Sequence, residues 1–126
     1  MRRELDERVL SFVVRNEEQL KKFSKEQLLH FLSYVRKIDG MYRAGHEKNP
    51  NDRIRYYIEL QLKAKSRDWT LETEGKKLGE SLIELLELET LTWSEVVQRL
   101  SDFFLLLEVL IEGGSLPGFS IQKLLE

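Results

Sequence analysis

The chain has 126 residues, 41% of them hydrophobic and 33% charged, with a formal net charge of −2. That length suits one domain with a real core, and the composition excludes both a disordered chain and a membrane-embedded one. With no cysteine, disulfides and cysteine-ligated zinc are excluded as well.

The start, Met1-Arg2-Arg3-Glu4, runs into an amphipathic pattern without the apolar stretch of a signal peptide. The longest apolar run, Phe103 to Leu107, falls far short of the roughly 20 residues of a membrane span. The expectation is a soluble cytoplasmic protein, and many Glu and Lys beside few Asn and Gln lean toward a thermophilic source. The small net charge conceals a split. Residues Met1 to Arg67 carry 16 Lys/Arg against 10 Asp/Glu, a formal +6, and Asp68 to Glu126 carry 4 against 12, a formal −8. A local excess of cations meets phosphates even when the total is acidic, so the split points to a polyanionic partner.

Apolar residues recur at helical spacing almost throughout, and no alternating β-branched run competes. A first helix places Leu5, Val9, Phe12 and Val13 on one face and reaches roughly to Phe23. Ser24 with Gln27 forms a capping box opening a second helix, whose inner face reads Leu28, Phe31, Leu32, Val35 and Ile38. Gly40 suits its C-cap. Met41 to Asn51 reads as a loop, because Gly45, Asn49 and Pro50 disfavour helix. Asn51 or Asp52 caps a third helix with Ile54, Tyr57, Ile58 and Gln61 inward. A connection around Trp69 to Thr73 leads to a fourth, with Leu78, Leu82, Ile83, Leu85 and Leu86. Thr92 and Glu95 make a second capping box for a fifth helix, Trp93 to Glu112, ended by Gly113-Gly114. Beyond Pro117-Gly118, Ser120 to Glu126 forms a possible last helical turn within a tail spanning 114–126. The fold class is therefore all-α: a single compact bundle of about five helices over residues 1–126, with no linker dividing it. The fifth helix has only Glu108 polar between Phe103 and Ile111. Such a helix is either the centre of the bundle or a face shared with a second subunit.

Catalytic constellations are nearly missing. His46 and Glu47 begin a zincin-like pattern, but Pro50 stands where the second His belongs. His30 lies on another element with no carboxylate pair nearby, so no metal site is expected, and no cofactor. Glu84 and Glu87 are one helical turn apart, a pairing that recurs in all-helical nucleotide pyrophosphatases, although a solvated helix face is the plainer reading. The chain reads as not an enzyme. The basic half is more specific. Arg53, Tyr56, Lys63 and Arg67 share one outward stripe of the third helix, interrupted by Leu60. Arg36 and Lys37 lie near the end of the second helix, Arg43 follows, and Lys21, Lys22 and Lys25 cluster at the first junction. Cations with Tyr56 among them suit phosphate contact with base stacking. The competing account is that such residues complement helix dipoles or form a solvated face.

Three stretches carry a family resemblance. Ser24 to Ile38, SKEQLLHFLSYVRKI, resembles the first signature of the small subunit of type III-A CRISPR effector complexes, the Csm small-subunit family. Asn51 to Arg67, NDRIRYYIELQLKAKSR, resembles that family's central helix with its Tyr and closing Arg, and Arg99 to Gly113, RLSDFFLLLEVLIEG, its closing helix. The resemblance spans roughly Ser24 to Gly113. One departure is Leu29, where the family has a basic residue. The matching tyrosine is Tyr56 or Tyr57, and Tyr56 lies on the basic stripe. The resemblance implies a non-catalytic, RNA-binding helical bundle for antiviral defence. Its copies self-associate, as dimer or filament, along guide RNA paired with target RNA, beside the other effector subunits. Lys25, Arg36, Lys37, Arg43, Arg53, Tyr56, Lys63 and Arg67 are the candidate RNA contacts. The alternatives are a helical dimerisation or adaptor module without nucleic acid, the small subunit of a type III-B complex, and the pyrophosphatase reading through Glu84 and Glu87. A helix-turn-helix DNA binder is disfavoured, since the loop from Met41 to Asn51 is longer than that motif's turn of about 3–4 residues.

Overall fold

The Asp6 side chain accepts a hydrogen bond from the Arg8 N–H at 2.8 Å, which caps the first helix. The structure is a computed structural model; it describes residues 5–65 and 72–113, with the side chains among them apart from those of 62–65 and 72–76. The described residues form six α-helices and no strand: α1 (Glu7–Arg15), α2 (Glu17–Leu20), α3 (Lys25–Arg43), α4 (Pro50–Lys65), α5 (Glu72–Leu86) and α6 (Trp93–Ile111). The protein is an all-α bundle.

The expected first helix is two. Asn16 leaves the helical backbone at φ −112, ψ 20, and its side-chain amide donates to the Phe12 carbonyl at 2.8 Å, closing α1. This break lets Leu20 of α2 turn inward, where it is fully buried. Both capping boxes form, Ser24 with Gln27 and Thr92 with Glu95.

Gly40 does not end α3. The helix continues to Arg43, supported by the Arg43–Asp39 pair at 3.0 Å. Gly45 takes the left-handed residue at φ +80, and His46 N–H reaches the Met41 carbonyl at 2.8 Å while Gly45 N–H reaches that of Tyr42 at 3.1 Å. This is the two-bond stop that favours glycine one place beyond the cap. The loop is thereby shortened to residues 44–49, and Pro50, not Asn51 or Asp52, is the first residue of α4. Proline fits there because the first helical N–H has no intrahelical acceptor to lose. Asn51 is used differently: its amide donates to the carbonyls of Leu88 and Leu91 at 2.8 and 3.0 Å, tying α4 to the turn before α6.

The apolar α6 is the centre of the bundle. Among the described residues it packs against each of the other five helices. Val96, Leu100, Leu106 and Leu107 are fully buried, and Phe103 meets Phe12 edge-on at 6.0 Å while Phe104 meets Phe31 at 5.0 Å. Burial of each such side chain contributes about 1.5–3 kcal/mol. Of the run Phe103 to Leu107 only Leu105 is exposed, so the chain's own helices account for the run. Gly113 at φ +89 ends α6 as expected. Gly114, the tail 114–126 and Trp69 lie outside the described residues.

Candidate nucleic-acid interface

On α3 the periodicity of about 3.6 residues places Lys25, Arg36 and Arg43 on one face, about three and then two turns apart. Leu28, Phe31, Val35 and Ile38 fill the buried side, so the cations are left in solvent. Lys37 occupies the next flank, toward α4, two turns from His30. Lys25, Arg36 and Lys37 are exposed, and among the described residues none of them meets a carboxylate.

Two other candidates are already neutralised. Arg43 pairs with Asp39 one turn back. Arg53 lies 2.7 Å from Glu47, which the Asn49 N–H and Arg53 together hold below the usual carboxylate range; the same contact raises the Arg53 guanidinium. Glu47 is thus the anchor of the α3–α4 loop, with no second histidine to make a metal site of it. Among the described residues no group of three or more His, Cys, Asp or Glu is placed to hold a metal ion. No helix among them is long and apolar enough to cross a membrane.

The expected outward stripe of α4 is real for Arg53, Tyr56 and Leu60, with Tyr56 63% and Leu60 50% exposed. Of the two adjacent tyrosines, Tyr57 is buried and Tyr56 faces out. Lys63 continues the stripe by backbone position, while its side chain and the whole of Arg67 lie outside the described residues. Lys21 pairs with Glu17 at 3.4 Å and Leu29 is exposed beside Lys25 on α3.

Two clusters escaped the sequence reading. One joins Tyr57 of α4 to His30 and Tyr34 of α3. Tyr34 stacks on Tyr57 at 4.1 Å and 14°, and His30 Nδ1 lies 2.6 Å from the Tyr57 hydroxyl. Burial, helped by Tyr34, pushes the Tyr57 phenol up to about 12. The signal was present as His30 and Tyr34 one turn apart on a half-buried flank.

The other cluster surrounds Arg99, which is only 8% exposed. Its guanidinium donates to the Leu85 carbonyl at the end of α5 and to Glu87 at 2.6 Å, and lies 3.5 Å from Asp6. Arg8 shares Glu87 at 3.1 Å, and buried Asp102 accepts the Asp6 N–H at 3.1 Å. Glu87 therefore lies neither on a solvated helix face nor paired with Glu84. It follows α5 at φ +44, a strained backbone for a non-glycine residue, and its carboxylate serves two arginines. An Arg and an Asp at i, i+3 on the arc of α6 that carries Val96, Leu100 and Phe103 were the readable sign.

These pairs also explain part of the charge split. Arg8–Glu87, Asp6–Arg99 and Arg55–Glu89 each join the basic half to the acidic half. The fold defines a helical bundle on which Lys25, Arg36 and Lys37 of α3 are exposed and, among the described residues, in no ion pair. Scanned against protein-family models, curated proteins and solved structures, the chain matches none.

Proposed function

We propose that this chain is a non-catalytic RNA-binding subunit, the small subunit of a type III-A CRISPR effector, packing along guide RNA paired with target RNA. The observation that carries the RNA contact is the set of exposed cations on α3, Lys25, Arg36 and Lys37, left without carboxylate partners among the described residues. Lys25 and Arg36 are about 16 Å apart along the axis, a reach that spans successive phosphates of one strand. The sequence resemblance over Ser24 to Gly113 supports the family. Arg43 and Arg53 contribute less than their sequence positions implied, because each already satisfies an acid. Contacts of this kind read shape and phosphate, leaving sequence to base pairing.

The test is fluorescence anisotropy with single-stranded RNA and with a guide–target duplex over a range of salt. Log affinity falls with log salt by about 0.7 per single-strand phosphate neutralised. Arg36→Glu with Lys37→Glu weakens binding and flattens that slope, and Arg53→Ala has the smaller effect. Affinity unchanged by the double reversal removes α3 as the interface. A second reading, a helical adaptor without nucleic acid, is favoured by exposed Tyr56 and Leu60 on α4. It predicts a protein complex that survives high salt and no RNA retained at low salt.

A further inference from the structure

A cleft of about 460 Å³ opens between the N-terminal half of α3 and the middle of α4. Its floor is aromatic, from Phe31 and Tyr57, and its rim is polar, from Glu26, His30 and Gln61. His30 is exposed while Tyr57 behind it is buried. The two rings are 22° from parallel with centroids 5.8 Å apart, and the hydrogen bond joins their edges. His30 thus extends the plane of Tyr57 and does not cover its face. Tyr34, stacked on Tyr57, fixes that plane from behind. The Tyr57 phenol, raised by burial, is joined to Nδ1 by that hydrogen bond, which leaves Nε2 on the open side of the ring.

We propose that this cleft receives one unstacked nucleobase of a single-stranded nucleic acid, laid on the His30 ring with the sugar–phosphate chain outside it over Lys37. A base matches the cleft in both of its properties. Its π-face suits an imidazole held in a fixed plane, and stacking of this kind tolerates any base. Its edge carries the donors and acceptors that a carboxylate, a carboxamide and an imidazole nitrogen complement. The charges set the orientation. Glu26 at the rim repels a phosphate, whereas Lys37, two turns along the same flank from His30, attracts one. The volume admits a base and excludes a paired duplex. The inference rests on the RNA reading above, because Lys37 serves both, and it adds bases to a surface otherwise made for phosphates.

The experiment uses the full chain with two single-stranded RNAs of about ten nucleotides, a length within the range one binding face covers. One carries 2-aminopurine at a central position, and the other has the same backbone with abasic sites. The wild-type protein binds the base-bearing strand about 5- to 10-fold tighter and changes the 2-aminopurine emission on binding. His30→Ala abolishes the preference while leaving the salt dependence in place, with circular dichroism checking the fold. Equal affinity for both strands with unchanged emission overturns the cleft assignment and leaves the phosphate surface standing. Preference retained in folded His30→Ala overturns it as well. No binding of either strand at low salt overturns the RNA reading itself, and the cleft with it.

Discussion

Around Arg99, where α1, α5 and α6 meet, acids and bases lie within reach of one another and of backbone carbonyls; along α3, Lys25, Arg36 and Lys37 face solvent with no described acid to meet them. Both regions are dense in charge, yet the first holds the fold together and the second does nothing for it. Sign and count along the chain do not separate the two roles. Position on the helix does: Arg99 is on the buried arc of α6, and Arg36 is opposite the buried arc of α3. In the first region removing the buried guanidinium leaves the Leu85 carbonyl without its donor, and in the second a missing charge leaves only water.

The largest effect is expected at Arg99. Arg99→Ala strips the Leu85 carbonyl of its donor, leaves Asp6 without its cation and leaves Glu87 with Arg8 alone. Losing the buried guanidinium's charge-assisted hydrogen bonds costs about 1.5–3 kcal/mol, since the acids left behind are partly exposed and Glu87 keeps Arg8. Urea denaturation of the purified protein measures it; a loss below about 1 kcal/mol, the size of an exposed pair, erases the contrast between the two regions.

Much of the fold was legible because its determinants are local. Ser24 with Gln27 and Thr92 with Glu95 are short-range pairs, and both capping boxes form as read. The inward faces of α3 and α4 follow from periodicity alone, as does the left-handed Gly113. Misplaced boundaries came from residues with two competing uses. Gly40 resembles a stop but sits within a helix that runs on to Arg43, where the left-handed Gly45 closes it. Asn16 resembles an ordinary helix residue until its amide folds back on Phe12. The cations of the candidate interface were legible as a set, but their availability was not. Glu47 meets Arg53 across a loop–helix junction, six residues away in sequence and unconstrained by any helical spacing. His30 and Tyr57 meet across two helices, a pairing that depends on how α3 and α4 cross.

An intermediate effect is expected at the N-cap of the central helix. Thr92→Ala removes the side-chain acceptor for the Glu95 N–H and costs about 1 kcal/mol. Glu95 reaches back to the Thr92 N–H and hydroxyl, and these two bonds hold its carboxyl below the ordinary 4.5. A carboxylate with a depressed folded pKa stabilises above its unfolded value, and that contribution is lost as pH falls through the folded one. Thermal melts at falling pH therefore lose less stability in Glu95→Gln than in the wild type. Equal acid sensitivity in both proteins means the box contributes through Thr92 alone.

The smallest effect on stability is expected where the effect on RNA is greatest. Arg36 and Lys37 point away from the core, and no described residue depends on either for a hydrogen bond or an ion pair. Reversing both to Glu shifts unfolding by no more than about 0.5 kcal/mol per site, the usual range for surface positions. Some of even that is mutual, because adjacent like charges repel before and after reversal alike. The same two changes turn an attractive patch into a repulsive one for any phosphate chain crossing α3. A large loss of stability in the double variant places these cations with Arg99, as parts of the fold. An unchanged melt combined with lost RNA affinity separates binding from folding on one helix, which a change at buried Arg99 cannot do.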